Sequence, residues 1–590
     1  MHPPCCPPRA WRYRNQRRPL SQLVGAREHI PAGGIQSSAA YVQRFKQIAP
    51  SHASCLLWER WKSSHPVGVG YQTPFRTTRS RPNTQICGVD RLSRTPHGIF
   101  DLWGAIRPAI VLRHHLAHAA STYFTSPFQN AAILSYDGEG DWNCRGCLAV
   151  GYKRVLEPHE FFGPRKVYKR DFAVGIIWEI VAKALFGMSP ADGPGKLMAL
   201  AAYGSIKKEW VPRLRALLKH FPGGEFEGPE LVLSQPWGFS TRNRKRAAPF
   251  EGHETGELAQ AFVRTLQYAT QKETTTEIGR FLRFIKRQRT KDIDGICIAG
   301  GCGLNGGVNS EIRSAFGPLH IPPFTSDSGL AVGSALFAHN FLHRRNSRSR
   351  TTALSPYLGR TLRATRIEIN EAVAIMSASS ETEVRFLPSI TEATANFLSN
   401  GNVIGWLQGR SESGPRALGN RSLLVDPGNE KAVQRLAKHV KRREWYRPFS
   451  PSITKESAGE YFEIPEEGSP YMLLFCRAFA ATRRRFPSIV HVDGSSRVQT
   501  VTATVNPLFH ALLEAFGHIT GYPMLLNTSF NSPGEPVVDT CLDAVRILLA
   551  SNLDGIVCGS FLICRHNSPL AQASLLPVDR FHKTACGTLD

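Results

Sequence analysis

The sequence predicts an α/β protein of more than one unit, and three observations lead there. The chain has 590 residues, more than one hydrophobic core accommodates, which suggests two to four domains. Its composition, 42% hydrophobic and 20% charged, is that of an ordinary globular protein, neither disordered nor membranous. Apolar runs of strand length recur, each ending in glycine and leading toward a helical pattern, as in GICIAGG at 295–301 and NVIGWLQG at 402–409, and this alternation marks α/β folds. The longest apolar stretch, 172–188, is interrupted by Glu179 and Lys183, which suits a buried or amphipathic helix and not a membrane span.

The formal net charge of +25 invites a nucleic-acid reading, but its distribution argues against one. Residues 1–100 hold fifteen Lys/Arg and three acids, Glu28, Glu59 and Asp90, in a segment without a recognisable binding fold. This opening segment, 1–108, shows little periodicity and reads as basic and poorly structured; without an apolar core behind its charges it is not a secretory signal. Thirteen cysteines, an odd number, do not form a disulfide framework, so a reducing, cytoplasmic setting is expected. Cys144 and Cys147 form a lone CxxC, a weak signal that fits unremarkable thiols.

Order begins near Ala109, where AIVLRHHLAHAASTYF reads as a strand running into a helix. His114 and His118 stand at i and i+4, one face of that helix, a spacing that suits a divalent metal or two packed imidazoles. His115 points elsewhere. The strand NAAILSYDGEG delivers Asp137 at its end beside Gly138 and Gly140, where the acid could hold a cation or the glycines could simply make a tight turn. IAGGCGLNGGVN sets Gly300, Gly301 and Asn305 after a strand, the way backbone N–H groups are offered to phosphate, although no Walker or GxGxxG spacing is kept. Asp327 in FTSDSGLAVGSAL is a further carboxylate at a loop-to-helix junction, or that helix's N-cap.

HRRNSRSRTT at 343–352 reads as a linker. Beyond it, GWLQGRSESGPRALGNRS carries Arg410, Arg416 and Arg421, VKRREWYRPFSPSI carries Lys441, Arg442, Arg443 and Arg447, HVDGSSRVQTV carries Arg497, and PMLLNTSFNSPGEP carries Asn527, Ser529 and Asn531. These cations could be a solvated basic face. Their position in short loops beside apolar strands, where an unpaired cation is costly, points instead to an anionic ligand rich in phosphate.

Taken in order, HxxxH, DGxGD, GPGKLMALAAYG (193–204), AGGxxLNxxxN, DSGxAxGSAL, GPRALGNRS, RPFSPS and LLNTSFNSPGEP resemble the O-carbamoyltransferases that modify nodulation factors and antibiotics. The first half is also similar to the metal-binding actin-like domain used in tRNA threonylcarbamoylation, and the Lys441-x-Arg443 and Ser529-x-Asn531 pairs are similar to those of YrdC-like domains. The resemblance covers about 110–564. It implies an actin-like domain at 109–342, a linker at 343–355, a YrdC-like α/β domain at 356–565 and a tail at 566–590.

It further implies an ATP-dependent carbamoyltransferase that forms carbamoyl-adenylate from carbamoyl phosphate and passes the carbamoyl group to a hydroxyl. The implied metal ligands are His114, His118, Asp137 and Asp327, binding iron or a similar divalent ion. Lys441, Arg443, Arg416, Arg421, Arg447 and Arg497 would neutralise phosphate, while Asn527, Ser529 and Asn531 would hold nucleotide by hydrogen bonds. Gly300, Gly301 and Asn305 would line a nucleotide loop, Lys196 would touch phosphate or substrate, and His115 would be a general base. Cofactors are the divalent metal and ATP with Mg. The expected partners are a small-molecule or oligosaccharide acceptor and a second copy of the chain, with neither nucleic acid nor membrane. Two alternatives stand beside this: an actin-like-fold phosphotransferase, and a catalytically impaired homologue lacking the opening strands of the family, since residues 1–108 show no such block.

Overall fold

The computed structural model describes residues 105–165, 167–221, 250, 256–288, 292–342, 355–376 and 381–572, and before them the strands β1 (Leu57–Glu59), β2 (Gln85–Val89) and β3 (Pro96–Leu102). The chain divides into two compact units, Met1–Leu354 and Ser355–Asp590. The expected linker falls, but for its last residue, outside the described residues.

In the first unit, β4 (Ala105–Leu112) joins the three strands above into a sheet of order β1-β4-β3-β2, with β1 parallel to β4 and the other pairs antiparallel. This corrects the expectation of a poorly structured segment up to residue 108. Pro96 and Pro108 lie in β3 and β4, and proline in a candidate strand argues against the assignment, which hid the pairing. The remaining residues of 1–104 lie outside the described ones.

Helix α1 (His114–Tyr123) follows at once and is buried on every side. Its first turn has no cap of its own; Asp141, from a loop 27 residues on, accepts the His114 N–H at 2.9 Å. A five-stranded sheet lies against it, in the order β7 (Val155–Phe162), β6 (Gly146–Tyr152), β5 (Asn130–Tyr136), β8 (Gly295–Ala299), β9 (Leu319–His320). The central strand β5 pairs antiparallel with β6 and parallel with β8, and its run Ala131–Tyr136 is buried throughout, as a strand covered on both faces requires. Four helices complete the parts used below: α2 (Val174–Phe186), α3 (Gly193–Leu200), α4 (Glu257–Gln288) and α5 (Gly306–Phe316), with α6 (Leu330–Leu342) closing the unit. After β8 the backbone turns at Gly300 with φ +92°, where a Cβ would stand 2.1 Å from the Tyr136 carbonyl oxygen; only glycine permits that turn.

The second unit is built on an eight-stranded sheet. Its strands in chain order are β10 (Thr382–Phe386), β11 (Ile404–Leu407), β12 (Arg421–Val425), β13 (Ser450–Thr454), then β14 (Phe462–Glu463), β15 (Cys476–Ala478) and β16 (Ser495–Ser496) of a smaller sheet, and β17 (Gln499–Val501), β18 (Met524–Ser529), β19 (Gly555–Cys558) and β20 (Phe561–Arg565). The large sheet runs β10-β20-β19-β11-β12-β18-β13-β17. Trp406, Leu423, Leu525 and Ile556 have no solvent exposure and centre one continuous core. Leu570, in the short helix Pro569–Gln572, belongs to that core, so residues 566–572 are part of the unit and not of a tail.

Among the described residues one cysteine pair is joined and six cysteines are free, which is not a disulfide framework. Cys541, which opens helix α7 (Cys541–Ala550), is bonded to Cys558 at the end of β19. Cys144 and Cys147 are buried free thiols. Among the described residues no helix is long and apolar enough to cross a membrane.

Candidate active site

In the first unit α1, the end of β5 and the turn before α6 converge. The Nε2 atoms of His114 and His118 lie 3.1 Å apart. Asp137 Oδ2 stands 3.9 and 3.2 Å from them, and Asp327 Oδ1 3.5 and 3.3 Å. The four ligand atoms all fall within 4.8 Å of one another. Two imidazoles and two carboxylates at such mutual distances fit a single divalent cation with bonds of about 2.0–2.2 Å. Asp137 is fixed from behind by the N–H groups of Gly138 (2.8 Å) and Gly301 (2.9 Å). Burial by itself would lift its pKa, but the two histidines hold it well below the usual carboxylate range. Burial likewise works against a charged His118, and its bonds to Asp137 and Asp327 outweigh that and raise its pKa.

The other residues expected in this unit take supporting places. His115 donates from Nε2 to the Cys144 carbonyl (3.0 Å) and accepts at Nδ1 from the Ser135 hydroxyl (2.9 Å). Burial, then the neighbouring His114 and His118, push its pKa well down. A base role for it would require one of those bonds to break. The Gly301 N–H, expected to face phosphate, is taken by Asp137. Asn305 caps α5 through Val308 N–H and exchanges two bonds with Gln267. Lys196, on α3, pairs with Asp192 at 2.9 Å.

Sequence reasoning missed Glu179. It reads as a charge interrupting an apolar helix, yet its carboxyl lies beside Gly138, where it is pushed up to about 8 by burial and by the negative charges of Asp137, Glu139 and Asp327.

In the second unit the cations gather. Lys441 Nζ reaches the Ser529 carbonyl (3.0 Å) and hydroxyl (3.3 Å) and the Asn531 carbonyl (3.0 Å) and side-chain oxygen (2.6 Å), so the two motif pairs meet. Its pKa is lowered to about 7 by burial and by Arg443 and Arg447. Arg443 is lowered to about 9 by burial and by Arg447, and Arg416 to about 10 by the same two causes. Arg497 is driven well down by burial, then by Arg416, Arg443 and Arg447, and bonds Ser450 Oγ at 3.0 Å. Arg447 pairs with Glu444 at 2.8 Å. Burial is the first cause for Lys441, Arg443, Arg416 and Arg497 alike, and neighbouring arginines add to it.

Arg443 donates from Nε to the Arg447 carbonyl (3.1 Å) and from Nη2 to the Pro448 carbonyl (2.7 Å), and two other expected ligand contacts are committed elsewhere. Arg421 is fully buried and donates to the carbonyls of Gln408 (2.6 Å) and Asn420 (3.1 Å). Asn527 donates to Ser452 Oγ, Gln499 Oε1 and the Ala417 carbonyl. Glu412, which the sequence gave no reason to single out, accepts the N–H groups of Leu418, Asn420 and Arg421 and so shapes the loop that carries Arg416.

Two histidines and two carboxylates that could hold a metal ion lie on one α/β unit, and a cluster of cations lies on the other. The chain belongs to the carbamoyltransferase family and is a carbamoyltransferase: residues 102–336 match the Carbamoyltransferase N-terminus and 395–565 the Carbamoyltransferase C-terminus. Nodulation protein NolO of Bradyrhizobium diazoefficiens is 32% identical over 493 residues, 80% of this chain and 83% of that protein. Nodulation protein NolNO of Sinorhizobium fredii is 34% identical over 76% of this chain, which spans 63% of that longer relative. The 3'-hydroxymethylcephem-O-carbamoyltransferase of Streptomyces clavuligerus is 31% identical over 63% of this chain and 65% of its own length. Component A of the (R)-2-hydroxyglutaryl-CoA dehydratase of Acidaminococcus fermentans, a solved structure, aligns with 39% of this chain at a TM-score of 0.24 and 15% identity, a likeness too slight to bear on the fold.

Proposed function

We propose that the chain is an ATP-dependent O-carbamoyltransferase working in two half-reactions, the first in a YrdC-like second unit and the second in an actin-like first unit. The carrying observation is the gathering of Lys441, Arg443, Arg416 and Arg497 in one place, each lowered first by burial and then by neighbouring arginines, a strain that an incoming phosphate would relieve. In the first half-reaction carbamoyl phosphate and water give carbamate and phosphate; a carbamate oxygen then attacks the α-phosphorus of ATP, forming carbamoyl-adenylate and expelling pyrophosphate. Arg416, Arg443, Arg447 and Arg497 hold and neutralise the phosphates, and Lys441 ties the loop of Ser529 and Asn531 to the same place. This is catalysis by positioning and electrostatics.

In the second half-reaction an acceptor hydroxyl attacks the carbamoyl carbon and AMP leaves. The donor set of His114, His118, Asp137 and Asp327 suits iron or a similar divalent ion, which when bound supplies Lewis acidity at the carbamoyl carbonyl. The chain's own contribution there is to orient the ligands: Gly301 and Gly138 fix Asp137, Asp141 anchors the start of α1, and His115 braces that helix against β5 and the loop before β6. The acceptor is a hydroxylated small molecule or oligosaccharide, as the cephem named for one relative and the nodulation role named for others suggest.

The test is carbamoyl-phosphate-dependent exchange of pyrophosphate into ATP. The parent should exchange, and Arg443→Ala should fall by about ten- to a hundredfold, the worth of one charge-assisted hydrogen bond. Exchange at the parental rate in that variant, or none in the parent, would refute the assignment.

A further inference from the structure

Helix α2 is pressed against the loop that carries Asp137. A Cβ on Gly175 would stand 2.3 Å from the Asp137 carbonyl oxygen and 2.5 Å from the Gly138 nitrogen, so the absence of a side chain there is what admits the helix. One turn further along the same face, at i+4, comes Glu179. Its carboxyl fills the space where a side chain on Gly138 would go: a Cβ there would stand 2.2 Å from Glu179 Oε1. Gly175 and Gly138 together bring this carboxyl to the edge of the metal-type centre.

It is nevertheless not one of the four gathered ligand atoms. It is only partly buried, and among the described residues no hydrogen-bond or ion-pair partner faces it. A carboxyl brought there by close backbone packing, without a partner among the described residues, is free to meet whatever occupies that centre.

We propose that Glu179 is a ligand-binding residue of the transfer centre, accepting a hydrogen bond from a hydroxyl of the bound reactant. A carboxylate is the usual acceptor for a ribose hydroxyl in nucleotide sites, and the attacking acceptor group is also a hydroxyl; both offer the same chemistry. The inference rests on the reading above in bringing the adenylate to this unit.

The full-length protein loaded with divalent metal tests it, with Glu179→Gln and Glu179→Ala as variants. Three quantities are read: metal content, affinity for AMP against 2',3'-dideoxy-AMP, and carbamoyl-phosphate-dependent AMP release with water as the acceptor. Metal content should stay parental. If the ribose is bound, the parent prefers AMP by about tenfold and both variants lose that preference. If the attacking hydroxyl is bound, nucleotide preference stays and AMP release falls by about tenfold or more. Loss of metal would make Glu179 a support of the metal shell and overturn the proposal. Parental nucleotide preference with parental AMP release would also overturn it. A parent that shows no AMP release defeats the two-step reading instead, and the nucleotide comparison then decides the role of Glu179.

Discussion

Lys441 gives its ammonium four oxygen neighbours from Ser529 and Asn531 and yet stands where arginines repel it. The balance has a measurable consequence. An unfolded lysine keeps its proton to about pH 10.4, whereas Lys441 in the folded chain releases it near 7. Between those values the unfolded state binds the extra proton, so this group makes stability rise with pH across that window, by at most about 1.4 kcal/mol per pH unit. Below pH 7 both states are protonated and the full cost of the buried charge is present. Denaturant unfolding of the ligand-free protein at pH 7 and pH 9 should show the rise, and Lys441→Met should flatten it. Inorganic phosphate should stabilise the parent more at pH 7 than at pH 9, since it compensates the charge that is lost at higher pH. Equal slopes in parent and variant would mean that the ammonium is not strained by its neighbours.

At the scale of elements, the four candidate ligands that the structure brings together were legible only as a set, through the family resemblance, because each alone suited packed imidazoles, a tight turn or an N-cap equally well. The cations were legible by type but not by fate. Nothing in the sequence separates Arg416, which stays with the cluster, from Arg421, five residues later, which β12 turns inward onto the carbonyls of the preceding loop. Glu179 was hidden for a related reason, since its role depends on which backbone lies against Gly175. Strands β3 and β4 were hidden by their prolines. The strand-to-loop step after β8 shows how far an element can govern chemistry. Gly300→Ala would force a side chain into a positive φ and onto the Tyr136 carbonyl, at a cost on the order of 1–3 kcal/mol. Because Gly301 N–H holds Asp137, the variant should also bind metal more weakly although none of the four ligands is altered. A lowered unfolding midpoint with unchanged metal affinity would show that Asp137 does not depend on that amide.

Across the whole molecule the two sets of functional side chains are separate in the chain. The metal-type quartet comes from residues 114–327 of the first unit, and the cations come from residues 416–497 of the second. The half-reactions should therefore be separable by substitution. His118→Ala removes a fully buried imidazole that faces both carboxylates, leaving three donors where four are needed for tight binding. Its metal content should drop from about one divalent ion per chain to a small fraction of that, because each ligand contributes cooperatively to a site of this kind. Acceptor carbamoylation should be lost with it. Pyrophosphate exchange draws on none of these residues and should stay within about twofold of the parent, a difference well under 1.4 kcal/mol in barrier. Elemental analysis and the exchange assay on one preparation decide the matter. If exchange disappears together with the metal while the variant still unfolds cooperatively, the first half-reaction depends on the metal centre, and the division of labour between the units is refuted.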